Sequence, residues 1–385
     1  MIQTPLFSDS IDRAAAAAPG ARRALPTLGE EIGTQKDIRY VAAASRSVLN
    51  GPETTGMGYW SVNPYVGCAF GCAYCYARYA HRYVMERLGG GEATAVSLAD
   101  DTGGGGSGSG EAPMPSWLAF ERRIFVKQNA PALLRAALRR HHGPHSRRRV
   151  DSIVVGTATD PYQPAERRFR VTRGVLESLA ELSGLRVAII TKSPLVTRDV
   201  DVLARLASRS TLTVHVSLIT LDRELARRIE PRSPTPESRL RAIGRLREAG
   251  IDVGVNVMPV LPGITDRPSD LEALVRAIAA AGATAAGACA LRLRSDARKR
   301  YLAFIEAEFP ALASRYRASY AHGHQVGDRY RDGLRRTFAR LCERYGIESW
   351  GRRGDDEEDD DEGDETPNEL GSEAASGGQQ LTLDL

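Results

Sequence analysis

From about Asp151 to Leu291, short apolar runs alternate with longer amphipathic stretches. "DSIVVGTATD" is rich in β-branched residues and turns polar at Thr157–Asp160, and a helical stretch follows from Thr172 to about Ser183. "LRVAIITKS" repeats the design, with a helix predicted from about Thr197 to Ala207, and "LTVHVSLIT" leads into "TPESRLRAIGRLREAGI". In that helix Leu240, Ile243 and Leu246 form one apolar stripe, Pro236 stands near the start, and Gly250 falls at the expected C-cap. "DVGVNVMPVLPG" reads as a further strand before a helix from Ser269 to Ala281, and "GATAAGACALRL" as a last strand. The region 296–349 reads as helical, with "YLAFIEAEF" and "LRRTFARLCERYGI" both amphipathic.

Repeated strand–helix units imply a parallel sheet with helices outside. Five or six units are fewer than the eight of a closed barrel. The predicted fold class is therefore α/β: a partial (β/α)6, TIM-like barrel over 46–295 with a helical C-terminal extension over 296–350. Residues 1–45 read as a flexible segment. The Gly/Ser-rich run Gly89–Ser116 reads as a disordered insertion, and 351–385, opening near "DDEEDDDEGDE", as a disordered acidic tail. In such barrels chemistry collects at the C-terminal strand ends. Thr157–Asp160, Thr191–Lys192, Ser217 and Pro259–Gly263 then face one mouth.

Charge changes this picture. The formal net charge is only +4, but residues 351–385 hold 13 acidic and 2 basic side chains, which leaves +15 on residues 1–350. A body so basic suits a polyanion such as DNA or RNA; solvated arginines on helix faces are the alternative. No N-terminal apolar run resembles a signal peptide and nothing approaches the ~20 apolar residues of a membrane span, so the expected location is cytoplasmic, with no membrane partner.

The chain has 5 cysteines. Cys68, Cys72 and Cys75 fall in "NPYVGCAFGCAYCYAR" with CxxxCxxC spacing, where Gly67 and Gly71 let the backbone curl so that the sulfurs converge. In a reducing compartment clustered thiols point to metal rather than to disulfides. Three thiolates suit an iron–sulfur cluster with one iron left open. Structural zinc completed by His81 is the alternative, and with a basic surface it would make the protein a non-enzymatic nucleic-acid accessory factor. Zinc normally takes paired knuckles, and no second one occurs.

This motif, opening a partial βα barrel, resembles the radical S-adenosylmethionine (SAM) superfamily. The wider wording is similar to its spore photoproduct lyase-like branch: "FERRIFVKQNAPALLRAAL", "GTATDPYQPAE", "ITKS", "VSLIT", "IEPRSPTPESRLRAI" and "PVLPGITD" occur in that branch's order, over about Arg46–Gly263. The resemblance implies a [4Fe–4S] cluster on Cys68, Cys72 and Cys75 whose open iron chelates SAM. The reduced cluster would cleave the sulfonium C–S bond to give a 5′-deoxyadenosyl radical that abstracts hydrogen from a substrate. A nucleic-acid lesion or modified base, a protein and a small molecule are the candidate substrate classes. Thr159 or Asp160 matches the contact to the SAM amino group, Lys192 the carboxylate contact and Ser217 the ribose contact; helix capping or a solvated loop lysine are the plain alternatives. An electron donor such as flavodoxin or ferredoxin is implied as a partner.

One position departs from the branch. The lyase returns hydrogen to its product radical from a cysteine, and the matching residue here is Thr157, whose O–H bond is too strong for that step. Tyr76 matches the tyrosine that works with that cysteine. Cys289 is the candidate replacement; Cys342, on an amphipathic helix, reads as a core residue. The chain ends "QQLTLDL", where Gln380, Leu381, Leu383 and Leu385 resemble the short peptides that dock bacterial repair and replication proteins on the sliding clamp.

Overall fold

In the computed structural model, which describes residues 31–55, 58–78, 116–141 and 150–350, the apolar runs become the strands of two sheets. The smaller contains β1 (Glu31–Gln35), β2 (Ile38–Ala42), β5 (Tyr65–Val66) and β6 (Arg123–Val126). The larger contains β3 (Leu49–Asn50), β4 (Trp60–Val62), β7 (Ser152–Val155), β8 (Arg186–Thr191), β9 (Thr211–Ser217), β10 (Asp252–Val260), β11 (Ala285–Ala290) and β12 (Glu348–Ser349). Its order is β12-β11-β10-β9-β8-β7-β4-β3. From β4 to β12 every neighbour is parallel; only β3 pairs antiparallel with β4. The sheet does not close, so the architecture is the partial barrel that the alternation predicts.

The helices lie where the amphipathic stretches place them: Val171–Ala180, Val200–Ala207, Pro236–Glu248 and Pro268–Ala280. Thr235 caps the third of these by accepting from the Ser238 amide, with Pro236 in its first turn. Each strand presents alternate residues to the helices. On β9, Leu212, Val214 and Val216 are buried in the same core as Ile243 and Leu246, which leaves Thr213, His215 and Ser217 on the inner face. The predicted helix from Thr197 begins instead as a 3-10 turn over Pro194–Asp199, with Ser193 accepting from the Leu195 amide.

Two expectations are corrected. Residues 31–42 were read as part of a flexible segment, yet they form a hairpin, because β2 finds a parallel partner in β6 with Tyr40 opposite Ile124. That partner is distant in the chain, so local patterning does not announce the pair. The region to 349 was read as helical throughout. Helices Ser295–Glu308, Pro310–Ser319 and Asp328–Arg344 do occupy most of it, but Glu348 and Ser349 turn back onto the sheet opposite Ala285 and Ala286. Most of the insertion, the whole acidic tail with Gln380, Leu381, Leu383 and Leu385, and His81 lie outside the described residues.

The last described residue, Trp350, enters the inner face of the sheet. Its ring meets His215 edge-on at 5.0 Å between centroids, and its amide donates to the Ala286 carbonyl. Gly254 and Gly287 admit the indole: a Cβ at Gly254 would stand 2.6 Å from it, and one at Gly287 would collide with its Nε1 edge. Gly254→Ala is expected to lower stability by about 1–3 kcal/mol through overpacking. Thermal unfolding should show less loss in Gly254→Ala/Trp350→Ala than the two single changes sum to.

Candidate metal centre

The cysteine loop leaves β4 at Asn63 and is shaped by glycines with left-handed backbones, Gly67 at φ +84° and Gly71 at φ +67°. Neither position has room for a side chain. A Cβ at Gly67 would lie 2.8 Å from the Phe120 carbonyl oxygen, and one at Gly71 2.8 Å from the Glu121 carboxylate. The loop backbone is then pinned from several sides. The Cys68 amide donates to Phe120 (2.9 Å), the Ala69 amide to the Gln163 side chain (3.0 Å) and the Ala73 amide to Ile229 (2.9 Å), while the Arg232 amide donates to Phe70 (3.2 Å). Cys68 and Cys72 end up buried and Cys75 half-buried.

Two buried acids flank this loop. Glu121, on the helix Ser116–Arg122, receives Arg78 (2.5 Å) and Arg232 (3.0 Å), with the Arg300 Nε at 3.6 Å. Arg78 also donates to the Cys72 carbonyl at 2.7 Å. On the other side Glu230 accepts from Tyr74 and Arg239, and the Lys192 ammonium stands 4.0 Å away. Burial works against the charge on Lys192, but the neighbouring Cys72 and Glu230 outweigh it and hold the ammonium protonated.

The thiols themselves are under strain as anions. Burial pushes Cys68 well up, with Asp160 and the other two cysteines adding to it. Cys72 is pushed up to about 12, mainly by burial, against the pull of Lys192. Cys75 rises through burial despite Arg78. Three thiols that resist ionising on their own suit a bound cation that makes them thiolates. Among the described residues, no three His, Cys, Asp or Glu side chains close on a point as ligands of a single ion would.

A sequence profile of the radical SAM superfamily matches residues 62–278, more than half of the chain and the whole span from the cysteine loop to the helix after β10. The chain belongs to the radical SAM superfamily. It is an enzyme of that class, and the class uses a [4Fe–4S] cluster and SAM; the non-enzymatic zinc reading therefore falls. The chain is 35% identical to the uncharacterized protein Rv2578c of Mycobacterium tuberculosis, over 84% of this chain and 87% of that one. It is 26% identical to the uncharacterized protein MJ0683 of Methanocaldococcus jannaschii, over 60% and 70% of the two. Its fold matches spore photoproduct lyase complexed with dinucleoside spore photoproduct at a TM-score of 0.52 and 15% identity, covering 80% of this chain and 81% of the lyase. A lyase variant with bound SAM and the same dinucleoside matches at 0.53 and 14%, with the same coverage. The superfamily match and the fold bear out the resemblance read from the motif.

Within this radical SAM fold, Thr159, Asp160, Lys192 and Ser217 all stand at or just beyond the ends of β7, β8 and β9, beside the cysteine loop. Thr159 and Asp160 already serve the protein. The Thr159 hydroxyl donates to the Gly67 carbonyl at 2.6 Å and accepts from Gln163, so it ties the strand end to the loop. Asp160 accepts from the Thr191 hydroxyl and the Lys192 amide, each at 2.7 Å, which joins the ends of β7 and β8. Tyr76 is 51% exposed, and its hydroxyl donates to the Thr157 carbonyl, so the residue that keeps the branch's pattern meets the one that departs from it. Asn63 fixes the same corner, donating to the Thr157 hydroxyl (3.0 Å) and accepting from the Ala158 amide (2.8 Å). Cys289 is half-buried on β11, four strands along the order from Thr157, and shares a face with Gly287 by the pleat. Cys342 is fully buried on the helix Asp328–Arg344, on the core side.

Sequence reading missed Asn63, Arg78, Glu121, Glu230 and Arg239. Glu230 and Arg239 sit in "IEPRSPTPESRLRAI", and Arg78 closes "NPYVGCAFGCAYCYAR", so the signal was a charged residue inside an otherwise apolar or looped motif. Glu230 is the sharpest case to test. Burial raises its carboxyl, but Arg239, Lys192 and Tyr74 together hold it below the usual 4.5. A depressed acid contributes stability above pH 4.5 and loses it as the pH falls through the lower folded value. Glu230→Gln is expected to cost about 3–5 kcal/mol at pH 7, because Arg239 loses its buried counter-charge. Unfolding curves from pH 7 to pH 3 should show the wild-type advantage shrinking on the acid side.

Proposed function

We propose that this radical SAM enzyme acts on a lesion or modified base in nucleic acid. The observation that carries the reading is the charge of +15 on residues 1–350. Part of that charge is displayed: Arg167, Arg168 and Arg170 are exposed beyond β7, and Arg329, Arg336 and Arg340 are exposed on the helix Asp328–Arg344. A duplex or single strand meets such a surface by releasing counterions from its phosphates. The lyase with which the fold is shared was solved with a dinucleoside photoproduct, which supports the same substrate class.

When bound, the cluster and SAM supply hydrogen abstraction by a carbon radical made from SAM. The chain's own residues hold and orient. Cys68, Cys72 and Cys75 would hold three iron corners. Lys192, kept charged beside Glu230, would meet the SAM carboxylate. Asp160 would face the amino group, with Thr159 keeping the cysteine loop at the right distance from it, and Ser217 would meet the ribose. Ser217 is steadied from behind, since its carbonyl accepts from Arg239 at 3.0 Å. Tyr76 stands over the mouth with its phenol anchored to Thr157.

Hydrogen return through residue 157 is closed. The Thr157 hydroxyl is held by Asn63, and its O–H bond is stronger than the C–H bond it would have to form. Either the product radical takes hydrogen from another group, for which Cys289 is the candidate, or the radical does not return to substrate by the lyase's route. A reductant protein of the flavodoxin or ferredoxin type would supply the electron.

Three measurements test this reading and its site. The anaerobically reconstituted enzyme, turned over with deuterated DNA, RNA and peptide pools, is expected to carry label from nucleic acid into 5′-deoxyadenosine; label from peptide alone would overturn the substrate reading. Nucleic-acid affinity should fall steeply as salt rises from 50 to 200 mM, and a flat response would also count against it. Lys192→Gln should weaken SAM binding roughly 10- to 100-fold, the loss of one charge-assisted hydrogen bond, read by equilibrium dialysis on the cluster-loaded protein.

A further inference from the structure

We propose that Asn256, on the inner face of β10, is the residue that selects the substrate: it reads the hydrogen-bonding edge of a single base turned into the interior of the sheet above Trp350. The inference rests on the nucleic-acid reading and names the group that chooses among bases.

Strand β10 buries Val253, Val255 and Val257 in the core, so Gly254, Asn256 and Met258 take the opposite, inner face. Asparagine is poorly suited to a strand of a parallel sheet, where apolar runs are the rule. Asn63 and Asn129 show what this fold does with such an amide elsewhere. Each uses both ends: Asn63 on the Thr157 hydroxyl and the Ala158 amide, Asn129 on the amide and the carbonyl of Ser45. The Asn256 side chain is half-buried and makes no such bond to any described residue. A donor and an acceptor held on an inner wall in this way cost stability unless a bound group matches them.

The surroundings of Asn256 indicate the kind of group. In the ladder it stands opposite Ser217 on one side and Gly287 on the other. The SAM contacts proposed above lie on the ends of β7, β8 and β9, so Asn256 opens the part of the interior that they leave over. On the Gly287 side, the space of a side chain is taken by the Trp350 indole, which also covers Gly254 and meets His215 edge-on. The His215 Nδ1 is buried in the same stretch of wall and has no hydrogen-bond partner among the described residues. An amide beside an aromatic ring suits a flat ligand with a polar edge. The indole offers a π surface to any base. The amide, with one donor and one acceptor side by side, pairs with a base edge that presents the complementary two. A base must leave its stack to reach an interior wall, as it does in other enzymes that carry out chemistry on bases. A peptide backbone could pair with the amide but has no ring to lay against the indole.

The test uses the anaerobically reconstituted full chain, saturated with SAM and without reductant. Binding of thymidine, 2′-deoxycytidine, 2′-deoxyadenosine and 2′-deoxyguanosine is measured by equilibrium dialysis. Wild type should bind the four unequally. Asn256→Ala should weaken the preferred nucleoside roughly 10- to 100-fold, the worth of one two-point contact, and flatten the ranking. Asn256→Asp, which keeps the shape and loses the donor, should also lose the preference, and it replaces Asn256→Ala if that variant does not fold. Trp350→Ala should weaken all four roughly 5- to 100-fold without changing their order. SAM affinity and the salt dependence of oligonucleotide binding should be unchanged in Asn256→Ala. A fall in its SAM affinity would assign the amide to the adenosine and overturn the proposal. Nucleosides that bind wild type and variant alike, or a failure of all four to bind, would overturn it too. If a single-stranded oligonucleotide still bound with steep salt dependence in that case, the nucleic-acid reading would survive alone; binding of neither overturns both.

Discussion

The structure depends on keeping three thiols in a place where thiolates are costly. Cys68, Cys72 and Cys75 sit at the C-terminal end of a parallel sheet with core on one side and two buried carboxylates close by. Each carboxylate is countered: Glu121 by Arg78 and Arg232, and Glu230 by Arg239 and Lys192. The loop thus combines an apolar shell, which raises every ionisation cost, with the Lys192 and Arg78 cations, which lower the cost for anions alone. An isolated metal ligand would be poorly served by that mixture, whereas an anionic metal–sulfur assembly suits it.

The backbone around the loop follows from the same need. Gly67 and Gly71 curl the chain so tightly that the carbonyl of Phe120 and the carboxylate of Glu121 occupy the space of their missing side chains. Thr159 and Gln163, from the end of β7, grip the Gly67 carbonyl. Asp160 then stitches β7 to β8, and Arg239 reaches the end of β9. Successive strand ends are thereby locked to the cysteine loop and to one another, so residues from separate βα units hold a fixed relation across the mouth. An open-edged sheet gains here, through side-chain ties, some of the rigidity that a closed barrel obtains from its hydrogen-bonded seam.

Much of this was legible in the sequence, for identifiable reasons. CxxxCxxC with flanking glycines is local chemistry, so it reads directly. The strand-end residues were legible because the βα alternation is strong between Asp151 and Leu291, and Thr235–Pro236 announces its helix by capping chemistry. What escaped depends on pairing across the chain. The hairpin before Ala42 needs β6, and the two-residue β12 needs β11; neither segment has a pattern of its own. Thr159 reads in the sequence as a ligand contact or a helix cap, because sequence cannot show that its hydroxyl is already engaged by Gly67. Glu121 and Arg300 lie on separate amphipathic helices, where each reads as an ordinary solvated charge until the fold brings them together.

Trp350 has a topological consequence. Its amide bonds to Ala286, near the start of β11, and its indole sits in the space cleared by Gly254 and Gly287. The mouth lies at the other ends of these strands. The indole therefore fills the inside of the sheet away from that mouth, and the short edge strand β12 is keyed to the barrel by a ring as well as by its ladder.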